Sequence, residues 1–240
     1  MSDSPLRYSC DGSVARLEFD DGKANAVSHA VLEAFGHALD QAEKEAGAVL
    51  LVGRPGRFCA GFDLNVIQQG PDAARELVGR GAALLLRMAE ASLPIVAACN
   101  GHALAMGALL LLASDLRLGA AGDFKIGLNE VARGMTLPGF AVALARERLA
   151  PTHLTRAAIL AEIYDPAGAA AAGYLDRVLA PEALLEHAAT EAARLSELPR
   201  RALRETKRAV RRPLVERVRA ELGADLAGWQ GEPTAGAAGA

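Results

Sequence analysis

Cysteine is scarce in this chain of 240 residues: Cys10, Cys59 and Cys99 are odd in number, far apart and without a C-x-x-C pair. That spacing argues against a disulfide framework and a cysteine-rich zinc site. Aromatic residues make up only 4%, too few for base-stacking platforms. Neither sign of charge dominates, with 26 basic side chains against 29 acidic ones, which argues against a protein built mainly to grip nucleic acid or an anionic membrane. The longest uncharged apolar run, Ala103 to Ala113, falls short of the roughly 18–20 residues that span a bilayer. Asp3, Pro5 and Arg7 break up any apolar signal segment after Met1. What is abundant is hydrophobic surface, 51% of residues, enough for a sizeable core in one or two domains. The expectation is a soluble protein of a reducing compartment, the cytoplasm, with no nucleic-acid or membrane partner.

The chain opens as a β-hairpin, with Tyr8 to Cys10, the turn Asp11-Gly12, and an alternating strand Val14 to Phe19. Ser28 can cap a helix whose Leu32, Phe35, Leu39 and Ala42 share one face, and Ala48 to Val52 reads as a buried strand. A loop rich in glycine and arginine, Gly53 to Arg57, precedes Phe58 to Leu64. Asp72 to Glu90 is expected to be a helix with Leu77, Leu84, Leu85 and Met88 inward. Ile95 to Cys99 reads as a strand broken by Asn100-Gly101, then Met106 to Ala113 as a helix and Leu116 to Leu118 as a strand. Short strands alternating with helices indicate an α/β fold. Asp165-Pro166 caps a further helix stopped by Gly173, Leu175 to Leu179 is a brief strand, and a helix begins at Pro181. Pro199 and Pro213 punctuate two more amphipathic segments, and residues 231–240 read as a disordered tail.

Three segments place small residues where a backbone must come close to something. In Ala60-Gly61-Phe62-Asp63-Leu64 a glycine precedes a helix start, where neighbouring amides can point outward. Asn100 to Gly107 leaves a strand and enters a helix near Met106, and the first amides of a helix lack internal partners. Two such amides on one carbonyl oxygen would form an oxyanion hole. Taken singly, each segment reads equally well as packing. The third, Ile126 to Gly139, sets Glu130 in apolar surroundings that would raise its pKa toward that of a general base. By itself Glu130 reads rather as a surface partner of Arg133 or Lys125. His102 reads as structural, Asp115 and Arg117 as a pair, and Cys59 and Cys99 as inert buried thiols. The stretch Arg200, Arg201, Arg204, Lys207, Arg208, Arg211 and Arg212 reads as a solvated helix face partnered by Glu197 and Glu205.

Together the segments Phe58 to Leu64, Asn100 to Gly107, Ser114 to Arg117, Gly127 to Glu130, Pro138-Gly139 and Gly173 to Val178 resemble the crotonase superfamily, the enoyl-CoA hydratase/isomerase group, over about residues 6–215. The resemblance implies an α/β spiral of strand-strand-helix turns over residues 1–195 and a helical region over 196–230. It implies a homotrimer or dimer of trimers acting on an acyl-CoA thioester, with no cofactor or metal beyond the coenzyme A of the substrate. It places oxyanion amides on Phe62 and Met106, the adenine beside the Ala60 carbonyl next to Gly61, a loop-fixing role on Asp63, and a basic residue near the coenzyme at Lys23. Hydratases of the group carry a second glutamate at the position of Leu109, and this chain keeps only Glu130. Single-glutamate Δ3,Δ2-enoyl-CoA isomerases are the nearest pattern. Hydration of a 2-enoyl-CoA is the alternative reading, and a silent acyl-CoA-binding protein is the third.

Overall fold

In the computed structural model, which describes residues 4–228, the hairpin forms from β1 (Leu6–Asp11) and β2 (Val14–Phe19). Asp11 pairs with Val14, so the loop residues are Gly12 and Ser13, one place later than the turn expected from sequence. Gly12 sits at φ +57°, a backbone that side chains resist, and that fixes the turn there. After β3 (Ala26–Val27) comes α1 (His29–Glu45), capped by Ser28 and burying Leu32, Phe35, Leu39 and Ala42.

Three strand-strand-helix turns then follow. The first holds β4 (Ala48–Gly53), β5 (Gly56–Cys59), the two-residue β6 (Gly61–Phe62), a short α2 (Leu64–Ile67) and α3 (Pro71–Glu90). The second is β7 (Ile95–Cys99), β8 (Gly101–Leu104) and α4 (Met106–Ala113). The third is β9 (Leu116–Ala120), β10 (Ile126–Gly127) and α5 (Gly139–Arg148). The chain closes with α6 (Pro151–Leu154), α7 (Pro166–Ala172), β11 (Arg177–Leu179), α8 (Pro181–Ser196) and α9 (Arg200–Gly228). This is the expected α/β spiral.

The first strands of the turns join one sheet in the order β1-β2-β4-β7-β9-β11, parallel beyond the hairpin, while β10-β8-β5 and β3-β6 form two smaller parallel sheets. Parallel strands covered on both sides read as continuous apolar runs. Val49, Leu51, Ile95 and Ala97 face the main core, and Leu50, Val52, Val96 and Ala98 meet Leu184, Ala188 and Ala192 of α8. Asp165 caps α7 with Oδ1 accepting from the Gly168 amide at 2.6 Å, and Gly173 ends it at φ +98°.

One expectation fails at Pro213. Rather than ending a segment, it lies inside the single helix α9. An interior proline costs about 3 kcal/mol, and burial of Leu214, Val215 and Val218 just after it favours keeping the helix whole. The tail from residue 231 lies outside the described residues.

Candidate active site

The site begins with a loop held from below. Asp21 accepts from the amides of Lys23, Asn25 and Ala26, and Asn25, buried at φ +57°, donates from Nδ2 to the carbonyls of Phe19 and Arg57 at 2.6 and 2.9 Å. Asn25 thereby ties its turn to β5. The Ala60 amide donates to the Asn25 carbonyl and the Asp63 amide to the Val27 carbonyl. Asp63 then caps α2, its Oδ1 accepting from the Asn65 amide at 2.9 Å, which fixes the end of the loop.

A second loop meets the first. The Ala105 amide donates to the Gly127 carbonyl, and Ala105 takes a φ of +49° to turn β8 into α4. A Cβ at Gly61 would lie 3.1 Å from the Ala105 Cβ and 3.9 Å from the Met106 nitrogen, so only glycine, itself at φ +108°, allows this approach. Met106 is the first residue of α4, where the helix offers its amide no acceptor. A side chain at Gly81 of α3 would strike the Phe62 ring and approach Met106 Cε at 3.7 Å. Both side chains therefore lean on α3, and the backbones of the two loops are left side by side.

Beyond the loops lies a cavity of about 280 Å³. Its walls include Ala60, Gly61, Phe62, Leu109, Phe140 and, among the described lining residues, one carboxylate, Glu130. Glu130 is 8% exposed, and its Oε2 is buried without a hydrogen-bond partner. Burial pushes its pKa up to about 7, against a smaller lowering by its own backbone amide. Neither Arg133 nor Lys125 forms an ion pair with it among the described residues, so the surface-pair reading of Glu130 fails. The reason is positional: Glu130 leads into a single helical turn, Val131–Arg133, whose Val131 and Ala132 take the solvent side. The buried Tyr174 hydroxyl lies close enough to feel the Glu130 charge, which adds to burial in raising its pKa, against a smaller lowering by a backbone hydrogen bond with Leu128.

The structure brings Ala60, Gly61, Phe62, Leu109 and Glu130 to one cavity with Met106 directly behind Gly61, but leaves Lys23 outside. Lys23 is exposed on the Asp21 turn, its carbonyl accepting from Arg54 Nη1 at 2.7 Å. Asn25, Ala105 and Tyr174 were missed in sequence. A left-handed backbone at a non-glycine residue and a tyrosine brought near a distant glutamate leave no sequence pattern. His102 is structural as expected, Nδ1 accepting from the Lys125 amide at 2.9 Å. Burial raises the Cys59 and Cys99 thiols to about 12, in keeping with inert groups.

Two expected arrangements are overturned. Arg117 pairs with Asp176 in bidentate fashion, not with Asp115, because its guanidinium reaches the residue leading into the neighbouring β11. Asp115 accepts instead from Lys207 Nζ, Arg211 Nη2 and the Ile95 amide. The basic stretch of α9 is thus only partly solvated: Arg204 does meet Glu205, but Lys207 and Arg211 are buried on Asp115.

The enoyl-CoA hydratase/isomerase family model matches residues 9–230. The chain belongs to this family. Among solved structures, an enoyl-CoA hydratase/isomerase family protein from Pseudomonas syringae superposes with a TM-score of 0.92 at 43% identity, over 94% of this chain and 98% of that one. An apo enoyl-CoA isomerase of Mycobacterium tuberculosis gives 0.89 at 34% identity, over 94% and 99%. A probable enoyl-CoA hydratase of Bacillus subtilis is 37% identical over 57% of this chain, a match spanning about half (54%) of that relative's length. The chain shares the crotonase architecture of these family members, and its relatives carry both reaction names, hydratase and isomerase. No helix among the described residues is long and apolar enough to cross a membrane.

Proposed function

We propose that this family member shifts the double bond of a 3-enoyl-CoA to the 2-position, with Glu130 as the proton carrier. In this reading the thioester oxygen sits between the amides of Phe62 and Met106. Glu130 removes a proton from C2, the electrons delocalise into a dienolate whose oxygen those amides stabilise, and the same carboxyl returns the proton at C4. Each oxyanion donor is typically worth about 3 kcal/mol of transition-state stabilisation. The observation that carries the reading is the single carboxylate in the cavity, its pKa raised to about 7, with Leu109 supplying only methyl groups. A base poised near neutrality can both take and return a proton without a second acid. Coenzyme A enters as part of the substrate, and a trimer or dimer of trimers in the cytoplasm remains the assembly proposed from the family.

The test is to supply a 3-enoyl-CoA and a 2-enoyl-CoA separately and follow conjugation and water addition. Conversion of the first alone supports isomerisation. Loss of the conjugated double bond from the second makes the protein a hydratase, and binding of both without turnover makes it a silent acyl-CoA binder.

A further inference from the structure

Glycine is a poor choice inside a helix, because its backbone loses the most freedom on folding and it brings no side chain to pack. Three glycines nonetheless sit within α1 and α3: Gly36, Gly79 and Gly81. They differ in what a side chain would meet. A Cβ at Gly36 would lie in open space. One at Gly79 would come within 2.9 Å of Leu226 Cδ1, the far end of a flexible side chain that can turn aside. One at the buried Gly81 would overlap Phe62 Cζ and lie 2.6 Å from Cε1, on the rigid ring of an active-site loop. From Met106 Cε it would stand at 3.7 Å, an ordinary contact.

The Phe62 ring has few places to go. It packs against the main core and also forms part of the wall of the active-site cavity. Its backbone is anchored, since Gly61 and Phe62 pair with β3 and the next residue, Asp63, caps α2. Restoring ordinary contact with a methyl group at position 81 would take a withdrawal of roughly 1 Å by the ring. Met106, on the other loop, would not have to move. A side chain at 81 thus presses on one loop, spares the other and changes their spacing. Two oxyanion amides serve only when they converge on one oxygen, and a misplacement of about 1 Å can lower a rate about a hundred-fold.

We propose that Gly81 is a positioning residue of the active site: the bare helix surface there seats the Phe62 ring and the end of Met106, and so sets how far apart the two loops stand. Gly81 touches no reacting atom and acts through Phe62. The proposal rests on the reading that the thioester oxygen lies between the Phe62 and Met106 amides. It does not rest on whether a proton shift or a hydration follows, since both pass through an enolate at that oxygen. Helix propensity by itself favours alanine at 81, so a loss of function there traces to the loop.

The test compares Gly81→Ala with Gly36→Ala in the full chain, on whichever enoyl-CoA the parent converts. Gly81→Ala is expected to lower kcat about thirty-fold with KM within about two-fold, and Gly36→Ala to leave both unchanged. A binding readout needs no turnover. Acetoacetyl-CoA, a thioester acidic enough to bind as its enolate, is titrated beside butyryl-CoA, which forms none. The parent should favour acetoacetyl-CoA, and Gly81→Ala should cut that preference by at least about ten-fold while butyryl-CoA binds as before. Phe62→Leu keeps the amide and lacks the ring atoms at risk, so in a Phe62→Leu chain Gly81→Ala should change kcat by less than about two-fold. A parent that prefers acetoacetyl-CoA, beside a Gly81→Ala chain that keeps that preference and its kcat, overturns this proposal alone. An equal loss from Gly81→Ala with and without the Phe62 ring also overturns it, making Gly81 a packing residue. A parent without the preference sinks the oxyanion reading itself, and this proposal with it.

Discussion

Glu130 and Asp176 both sit beside short strands and both lose water on folding, yet they finish in opposite states. Glu130 forms no salt bridge among the described residues, and burial raises its pKa to about 7. Burial pushes Asp176 up as well, but hydrogen bonds and charge from Arg117 outweigh it and hold the carboxyl below its ordinary value. Desolvation without a partner makes a group ready to exchange a proton. Desolvation with a bidentate partner makes a structural fastener. The two ends of α4 follow the same rule, with a lone acid across the cavity at its start and a crowd of cations at its end.

The largest expected effect comes from removing the lone acid. Glu130→Gln keeps the shape but not the base, and should lower the rate of double-bond shift by about a thousand-fold while thioester binding changes little. Single-turnover kinetics with a 3-enoyl-CoA, beside equilibrium binding of a saturated acyl-CoA, measures both. Unchanged turnover would remove Glu130 from the chemistry.

Breaking the paired carboxylate should act on stability instead. Arg117→Met leaves the partly exposed Asp176 carboxylate without its guanidinium, and a solvent-screened loss of about 1–2 kcal/mol is expected from the urea midpoint. Restoring near-normal stability with Asp176→Asn in the same chain would show that the unpaired charge, rather than lost packing, caused it.

The pH dependence separates the two groups by sign. A native pKa raised from 4.5 to about 7 means that the folded chain binds Glu130's proton more tightly than the unfolded one. Stability should therefore fall as pH rises through that window, by at most about 3 kcal/mol, and then level off. For Asp176 the lowered pKa works the other way, with stability present above the ordinary aspartate range and lost as pH falls through the native value. Denaturation curves of Glu130→Gln should lose the slope between pH 4.5 and 7 alone. The kcat/KM profile of the parent chain should climb with an apparent pKa near 7.

A third carboxylate sets the lower end of the scale. Asp165 acts through one hydrogen bond to the Gly168 amide at the start of α7, so Asp165→Ala should cost about 1 kcal/mol in thermal melts and leave turnover alone.

Much of this was legible along the chain. The alternation in Val14 to Phe19, the apolar stripe of α1 and the capped α7 all mark their elements, because each satisfies its own local rule. The second strands of the spiral turns were harder. β8 and β10 hold four and two residues, too few for a period, and exist because they pair with each other across the turns. The Pro213 misreading has the same root: a local breaker was overruled by the packing of the residues after it. At the site, the glycine-marked segments around Gly61 and Met106 were visible through small-residue spacing, while the choice of Phe62 and Met106 within them came from the family resemblance. Asn25 and Ala105 were not visible, because their left-handed backbones are imposed by neighbours.

The amino-acid order alone determined the repeating strands, the glycine-marked loops, the single glutamate of the third motif and the leucine at position 109. Only the tertiary structure decided that Glu130 is buried with no salt bridge among the described residues, that Arg117 chooses Asp176, and that Lys207 and Arg211 turn inward. Charge pairing depends on which distant groups share a desolvated volume, and sequence spacing carries no record of that volume.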